Sequence, residues 1–351
     1  MMRIFDRRAW RIGPVFLALI ALTVSGCSQT PQPASNESLV TVKVGYQATA
    51  DYGLFYVGQE KGWFKEQGVK LDLIIFTAGD AQIEALANGS IDMSLQGAQP
   101  ALIAAQKGVA DLRMVGPLAD AASLFSVIGD PSITSVEGLR GKTVAFQIGS
   151  AYQYYFDNVL ASHNMTEADI KVVNLNPLDG QGAFLSKNVD AVVPLATSRY
   201  TILQARPDAK VIFDPAAFAK APNPQKFSVY DLMIVNAKSL NAKHDAISKI
   251  VQVFYTKIVP YVTDPATKND AIKDLVDWQN KVIKAKTDEK TVAQLINSYS
   301  FYTLDDAKKV VKDGQFKDQI KNQAQFLVDA GTLPAVPNMD KVVDGSVLEG
   351  S

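Results

Sequence analysis

The sequence predicts an α/β protein with two lobes, each a mostly parallel sheet flanked by helices, joined by two crossing segments. The chain has 351 residues, which is long for one hydrophobic core. Short apolar runs with strand-like alternation are followed by helix-like segments, the order expected of parallel sheets covered by helices. Two extended apolar runs, at 123–128 and 227–235, break this order. We interpret them as the chain's passage into a second lobe and its return.

The composition excludes several classes of function. Hydrophobic residues make up 47% and charged residues 20% of the chain, as in a soluble globular protein. The net charge of −1 gives no electrostatic reason to expect a nucleic-acid partner. Two histidines and one cysteine exclude most metal sites built from these residues. Since His163 and His244 lie in polar, helix-like surroundings, we expect surface histidines, no cofactor and no enzyme.

The amino terminus has the pattern of a targeting segment. Four arginines precede an apolar run at 15–24 that is short for a membrane span. The run ends in Val24-Ser25-Gly26-Cys27, which resembles the bacterial lipobox. We therefore predict a lipoprotein signal peptide at 1–27 with Cys27 lipidated, and a polar, proline-rich flexible tether at 28–38. A plain signal peptide with a chance cysteine is the alternative.

Segment 76–108 carries the first candidate for ligand contact. Asp80 can cap a helix that Gly89 ends, and a short alternating strand follows from residue 91 to 95. The polar turn 96–99 then leads into a helix beginning near Pro100. A turn between the carboxyl end of a strand and the amino end of a helix is where open α/β sheets bind small molecules. An ordinary turn fits the segment equally well.

The remaining elements follow in the same alternation. Strands are predicted at 39–46, 69–76, 112–118, 142–146 and 171–175, and helices at 54–67, 135–140, 151 onward, 200–206, 246–261, 270–284 and 304–330. Residues 182–193 parallel residues 84–95, with Val189-Asp190 matching Ile91-Asp92. Each of these segments ends in a polar turn and a helix, which indicates two lobes on one plan. Chance similarity between two such units remains open.

Several motifs together resemble one known family. They are Gly53-Leu54-Phe55, Lys61-Gly62-Trp63-Phe64, the stretch ALANGSID at 85–92, LRGKTVA at 139–145 and Gly149-Ser150. This pattern is similar to substrate-binding proteins of ABC importers of the nitrate/sulfonate/taurine type, a group that includes binders of thiamine-pyrimidine precursors. The resemblance covers nearly all of the chain after the tether and is weakest after residue 240.

The resemblance implies a periplasmic-binding-protein-like fold of type II. Lobe I would comprise 39–122 and 235–351, and lobe II 123–234. It also implies a lipid-anchored extracytoplasmic binding protein that captures a small organic anion, such as an aliphatic sulfonate, between the lobes. The implied partners are the small-molecule ligand, a cognate ABC permease and ATPase, and the membrane, reached through the lipid (palmitate) on Cys27. We expect a monomer in the cell envelope, facing the periplasm or the exterior.

The resemblance implies ligand contacts after the first strand, at the turn 96–99, at Gly149-Ser150 and in the turn after Val193. Arg199 is the one nearby arginine able to hold a sulfonate or carboxylate with two hydrogen bonds. Many sulfonate and taurine binders carry a tryptophan in the last turn, whereas this chain has Pro194-Leu195-Ala196-Thr197. That departure puts taurine, with its ammonium group, in doubt. The candidate ligand-binding residues are Gln47, Tyr52, Gln96, Gln99, Gly149, Ser150, Tyr152, Thr197, Arg199 and Tyr230.

Three alternatives remain. The ligand could be a pyrimidine or an aromatic acid instead of a sulfonate. The protein could also be a ligand-sensing lipoprotein that feeds no transporter. An enzyme resembling the thiamine-pyrimidine synthases is disfavoured, because those enzymes depend on a cysteine-rich motif and this chain has one cysteine.

Overall fold

The computed structural model describes residues 39–108, 110–223 and 227–349. The predicted signal peptide, Cys27 and the tether lie outside the described residues. Residues 38–351 form one compact unit. In the part of the chain that the model describes, no helix is both long and apolar enough to cross a bilayer.

Eleven strands are present in the described residues, and their apolar alternation or apolar runs are those expected of half-buried and buried strands. They are β1 (Val40–Tyr46), β2 (Val69–Ile75), β3 (Met93–Gly97), β4 (Leu112–Asp120), β5 (Val127–Gly129), β6 (Thr143–Phe146), β7 (Lys171–Asn174), β8 (Ala191–Val192), β9 (Lys210–Phe213), β10 (Tyr230–Asn236) and β11 (Ser300–Phe301).

The strands form two sheets of related topology. The first has the order β11-β4-β10-β3-β1-β2, and the second the order β7-β6-β8-β5-β9. In the first sheet β1 is parallel to β2 and β3, while β10 is antiparallel to β3 and β4. In the second, β6 is parallel to β7 and β8, while β5 is antiparallel to β8 and β9. Each sheet thus has four strands in one direction and one returning strand between two of them, and the first sheet adds β11.

Helices cover both sheets. They are α1 (Ala50–Glu60), α2 (Trp63–Glu66), α3 (Gly79–Ala87), α4 (Ala98–Gln106), α5 (Ala151–Ser162), α6 (Pro177–Leu185), α7 (Ala196–Ala205), α8 (Ala237–Ala242), α9 (His244–Val253), α10 (Val259–Thr263), α11 (Lys268–Trp278), α12 (Glu289–Asn297), α13 (Leu304–Lys312), α14 (Gln315–Asp329) and α15 (Met339–Val342). Two hydrophobic clusters belong to the first sheet and its helices, and two to the second. This architecture confirms the predicted two-lobed α/β fold.

The sequence repeat corresponds to a repeated hydrogen-bond pattern. In lobe I, Asp92 and Lys43 exchange two bonds, since the Asp92 N–H donates to the Lys43 carbonyl (2.8 Å) and the Asp92 Oδ2 accepts from the Lys43 N–H (2.9 Å). Asp190 and Thr143 make the same two bonds in lobe II, both at 2.8 Å. The matching aspartates, which directly precede β3 and β8, therefore bond the main chain of the neighbouring strands β1 and β6 in the same way.

Two connections join the sheets, β4 to β5 and β9 to β10. They run side by side, because the Ala121 N–H donates to the Val229 carbonyl at 2.8 Å. Asp120 links them again, since its Oδ1 accepts from the N–H groups of Ala122 and Val229. We call the first sheet with its helices lobe I and the second sheet with its helices lobe II, so that β10 belongs to lobe I. The residue boundaries at 122/123 and 234/235 stay a prediction.

Three details differ from the sequence-based expectation. Asp80 does not cap α3: the residue before the helix is Ala78, and Asp80 lies in the first turn with its carboxylate on the Ala81 N–H. The helix expected at 54–67 is two helices, separated at Gly62, which has a φ of 78°. Gly314, also at φ 78°, divides the helix expected at 304–330. Both breaks have the left-handed backbone that glycine adopts without a steric penalty.

Candidate ligand-binding cleft

Polar groups of both lobes meet where strands end and helices begin. β1 ends at Tyr46 and α1 begins at Ala50; β6 ends at Phe146 and α5 begins at Ala151. The amino ends of helices present free N–H groups and the positive end of the helix dipole. Open α/β sheets bind ligands at such edges. This geometry makes the space between the two lobes the candidate ligand-binding cleft.

Two carboxyl groups and three phenols lie close together where the lobes meet. The Tyr52 hydroxyl donates a hydrogen bond of 2.6 Å to Oδ1 of Asp231. Asp51 faces the Asp231 carboxyl and the hydroxyls of Thr49 and Tyr299. Burial raises the pKa of the phenol of Tyr152, a lobe II residue, and the nearby charge of Asp231 raises it further. We call Asp51, Tyr52, Tyr152, Asp231 and Tyr299 the acid–tyrosine cluster.

The pKa values of both acids in this cluster are raised. Burial raises the pKa of Asp51, and hydrogen bonding only partly opposes it. Burial, followed by the charge of Asp51, raises the pKa of Asp231 well above its usual range. Among the described residues no basic side chain forms an ion pair with either acid. Two neighbouring carboxyls without a cation favour retention of a proton between them.

Part of the cluster remains accessible although it lies deep in the molecule. Asp51 and Tyr52 are only 2% and 3% exposed, whereas Asp231, Tyr152 and Tyr299 each keep an intermediate share of their surface. Deep residues with some accessible surface are those expected to line a recess. Neither oxygen of Asp51 has a hydrogen bond of good geometry in the structure.

Two predicted ligand residues, Gln96 and Gln99, use their side chains inside lobe I. Both are buried, at 1% and 2% exposure. The Gln96 amide donates to Ser94 Oγ at 2.8 Å, and the Gln99 amide donates to Oε1 of Gln323 at 3.0 Å. The segment expected to be a turn is the end of β3 and the start of α4. The main chain at Gly97 forms the carboxyl end of β3, whereas the side chains of Gln96 and Gln99 form hydrogen bonds inside lobe I.

The lobe II candidates cluster at the start of α5. Gly149 has a φ of 73°, and its N–H donates to Oε1 of Gln153 at 2.8 Å. Ser150 caps α5 by accepting from the Tyr152 N–H at 3.2 Å. The Tyr152 ring packs on Phe125, with 5.4 Å between the ring centroids.

The other candidates are dispersed. Gln47 follows β1 directly and is half-buried. Thr197 belongs to α7, and its side chain is outside the described part of the structure. The side chain of Arg199 lies near Tyr155. Burial raises the pKa of the Tyr155 phenol, and the charge of Arg199 opposes this effect only in part.

Tyr230 is a core residue of lobe I. It is 5% exposed, and its ring packs against Tyr302 and Phe316 with centroid distances of 5.8 and 5.9 Å. Side chains alternate along a strand, so the next residue, Asp231, faces the opposite side and the cluster. The structure therefore gives no support to Tyr230 as a ligand contact. Its neighbour Asp231 is the better candidate.

Sequence reasoning missed Asp51, Asp231 and Tyr299. Asp51 is adjacent to the candidate Tyr52, and Asp231 is an acid within the apolar run 227–235. A carboxylate inside an otherwise apolar strand is the available signal, because burying an unpaired charge is costly. Tyr299 follows the end of α12, and nothing in the local sequence indicates that it belongs to a site.

Two other cavities lie on the surface of lobe I. One of about 310 Å³ is between α1 and α11, and one of about 180 Å³ lies beside β4 and α15. Neither is lined by the acid–tyrosine cluster. Among the residues the structure describes, no group of three or more histidine, cysteine or acidic side chains could hold a metal ion.

Comparison with protein families matches residues 49–268 to the model described as "NMT1/THI5 like". The "Putative aliphatic sulfonates-binding protein" of Bacillus subtilis (strain 168) is 26% identical over 185 residues, covering 51% of this chain. The match spans 55% of that relative. The "Taurine-binding periplasmic protein" of Escherichia coli (strain K12) is 24% identical over 304 residues, 85% of this chain and 89% of the relative.

Solved structures share the fold. The periplasmic aliphatic sulphonate binding protein SsuA from Escherichia coli superposes with a TM-score of 0.69 at 18% identity, covering 86% of this chain and 91% of that one. The desulfurization enzyme DSZB superposes with a TM-score of 0.60 at 12% identity, covering 88% of this chain and 98% of that one. The fold therefore carries both binding proteins and an enzyme, and it does not by itself decide between these functions.

Proposed function

The chain belongs to the NMT1/THI5-like family, and from that premise we propose that it is the extracytoplasmic substrate-binding protein of an ABC importer. The observation that carries the proposal is the meeting of Tyr52 from lobe I and Tyr152 from lobe II beside one carboxyl group, Asp231. Such convergence of polar groups in a cleft between lobes is typical of ligand sites. The proposed partners are a small-molecule ligand and a cognate permease and ATPase.

The proposed mechanism is closure of the two lobes around the ligand. A ligand that contacts residues of both lobes binds the closed state more tightly than the open state, and so shifts the population toward closure. The paired connections at Ala121 and Val229 provide a narrow hinge between the lobes. The permease would recognise the closed form, and the protein itself would perform no chemistry.

Aliphatic sulfonates are the first ligand class to test, because two relatives are named for sulfonate or taurine binding. Arg199 is the candidate for a contact with a sulfonate or carboxylate. Helix amino ends at Ala50 and Ala151 would also favour an acidic group. A pyrimidine or an aromatic acid is the alternative ligand, and a sensory role without transport is the alternative use of the site.

The test is a thermal-unfolding screen of the full-length chain in detergent. The panel contains alkanesulfonates, taurine, nitrate, aromatic acids and pyrimidines. A true ligand at a concentration 100 times its Kd stabilises the folded state by about 2.7 kcal/mol, which raises the midpoint of unfolding by several degrees. Recovery of the ligand unchanged after incubation supports binding without catalysis. If the panel leaves the midpoint unchanged, the binding proposal is contradicted.

We also propose that a lipid on Cys27 anchors the protein to a membrane. Cys27 follows two small residues at the end of an apolar segment, the pattern on which the anchor prediction rests. Cys27→Ala is expected to move the protein from the membrane fraction to the soluble fraction of the cell envelope. The matched control, Ser28→Ala, is expected to stay with the membrane. Membrane retention of the Cys27→Ala protein would show that another element anchors it.

A further inference from the structure

We propose that the ligand of the cleft carries a positively charged nitrogen group, which binds between Asp51 and Asp231. This inference rests on the proposed function, because it names the class of molecule that the same cleft would take. It differs from the simple alkanesulfonate ligand considered above, which has no cationic group.

The first support is the state of Asp51. Its side chain is 2% exposed, and neither carboxylate oxygen has a hydrogen bond of good geometry within the structure. Buried polar groups in native proteins are almost always paired, and an unpaired buried carboxylate is a strong exception. Because the groups that face it are hydroxyls and a second carboxyl, a cationic donor is the chemistry this position lacks.

The second support is the charge balance of the site. Asp231 lies beside Asp51, and Asp120 adds a weaker negative influence. No lysine or arginine among the described residues pairs with Asp51 or Asp231; the basic residues that do form ion pairs use other acids, as Lys243 does with Asp92. A ligand cation would neutralise the two acids in the cleft, whereas an anion placed there would be repelled.

The third support is the set of phenols around the acids. The Tyr52 hydroxyl bonds Asp231, the Tyr299 hydroxyl faces Asp51, and Tyr152 lies near Asp231. Tyr152 and Tyr299 keep some accessible surface. A phenol oxygen accepts hydrogen bonds as well as donating them. Two neighbouring acids beside three phenols therefore offer acceptors suited to an ammonium group or to a protonated amino-heterocycle.

The experiment compares matched ligand pairs by calorimetric titration of the full-length protein in detergent at pH 7. Taurine is paired with ethanesulfonate, ethanolamine with ethylene glycol, and 4-aminopyridine with pyridine. We expect the nitrogen cation in at least one pair to bind 100-fold or more tightly than its uncharged or purely anionic counterpart. The first two pairs report an alkylammonium group, and the third reports a protonated heterocycle.

Neutral variants then locate the interaction. Asp51→Asn and Asp231→Asn are each expected to weaken binding of the cationic probe by 30-fold or more. The unfolding midpoint of unliganded Asp51→Asn should not fall, since a neutral amide replaces an unpaired buried acid. Asp190→Asn is the matched control: it changes charge equally at the opposite end of the lobe II strands and should leave binding unchanged.

Proton release provides a readout in the unmodified protein. The raised pKa values of the two acids favour a proton held between them, and a bound cation would displace it. The heat of binding should then vary with the ionisation enthalpy of the buffer, and the affinity should increase with pH until the ligand nitrogen loses its own proton. The titratable groups facing the pair are Tyr52, Tyr152, Tyr299 and Asp120.

The outcomes separate this inference from the proposed function. Equal binding of ethanesulfonate and taurine, with no effect of the two neutral variants, overturns the cation proposal and leaves the binding-protein function intact. A second result also overturns the cation proposal. If both variants still bind the ligand but lose stability, the acids serve to hold the lobes together. If neither these probes nor the screening panel bind, both proposals fail together.

Discussion

At the scale of single residues, Asp92 connects three parts of lobe I. It is 7% exposed and accepts hydrogen bonds from the Lys43 N–H, the Ser239 hydroxyl and the Lys243 ammonium, the last at 2.7 Å. Burial opposes its ionisation, but these hydrogen bonds and the charge of Lys243 outweigh burial and lower the pKa of Asp92. Asp190, its counterpart in lobe II, is held by the Thr143 N–H.

We predict that Asp92→Asn lowers the free energy of unfolding by about 2 kcal/mol at pH 7, because it leaves the partly buried Lys243 without its counter-ion. Since the folded-state pKa is depressed, the stabilisation is present above the unfolded-state pKa of about 3.9 and is lost as the pH falls through the folded-state value. Urea unfolding measured between pH 7 and pH 3 should therefore show the difference from wild type shrinking below about pH 4.

Two controls accompany this prediction. Asp277→Asn breaks an exposed pair with Lys281 and should leave the stability close to that of wild type, because solvent screens such a pair. Asp190→Asn, without a lysine partner in the structure, should cost about 1 kcal/mol. Equal losses for Asp92→Asn and Asp277→Asn would show that the Lys243 contact contributes little.

At the scale of secondary-structure elements, the contact between α1 and α11 requires a glycine. A Cβ atom on Gly53 would lie 2.5 Å from the Trp278 ring, closer than real Cβ contacts come. Trp278 is 1% exposed and belongs to the largest hydrophobic cluster of lobe I. The glycine of the Gly53-Leu54-Phe55 motif thus lets α1, which carries Asp51 and Tyr52, approach its neighbour.

We predict that Gly53→Ala lowers the free energy of unfolding by about 1–3 kcal/mol, because the added methyl group overpacks the helix contact. Chemical denaturation measures the change. Gly182→Ala is the matched control, since Gly182 is an exposed residue of α6 and no atom lies near the position of an added Cβ. It should raise stability by about 0.4–1 kcal/mol through reduced freedom of the unfolded chain. If Gly53→Ala leaves the free energy of unfolding unchanged, the Trp278 ring moves away from the added methyl group without cost.

At the scale of the whole molecule, side chains of each lobe pack on the other. Ala196 and Tyr200 of α7 contact the hydrophobic cluster of lobe I. On lobe I, Phe326 of α14 meets the Tyr154 ring of lobe II at a centroid distance of 4.9 Å. Contacts of this kind would favour the closed arrangement that the proposed mechanism requires.

We predict that Tyr200→Ala shifts the protein toward an open arrangement and weakens ligand binding. A loss of about 1–2 kcal/mol from a half-buried aromatic contact changes the ratio of closed to open molecules by a factor of about 5–30, and lowers the apparent affinity by up to that factor. Small-angle X-ray scattering should show a larger radius of gyration for the unliganded variant. Gln204→Ala, on the exposed part of α7, should match wild type in both measurements. Unchanged scattering and affinity for Tyr200→Ala would argue against a closing role for this contact.

The family match confirms the resemblance inferred from Gly53-Leu54-Phe55 and Lys61-Gly62-Trp63-Phe64. These motifs are readable because they report local requirements, such as a glycine at a left-handed turn or at a close helix contact. The predicted ligand residues fared differently: Gln96 and Gln99 serve packing, and Tyr230 belongs to the core. Which way a polar side chain points within an element depends on partners that are distant in sequence.

By itself, the sequence determined the alternation of strands and helices, the two-lobed plan and the family, because hydrophobic period, turn residues and local motifs are short-range signals. Only the tertiary structure decided which polar groups meet in the cleft. Asp51 and Asp231 are 180 positions apart in the chain, and they meet because the chain returns to the first sheet as β10. Among the described residues no basic side chain pairs with these two acids. This charge balance exists only once the chain has folded, because it depends on residues that are distant in sequence.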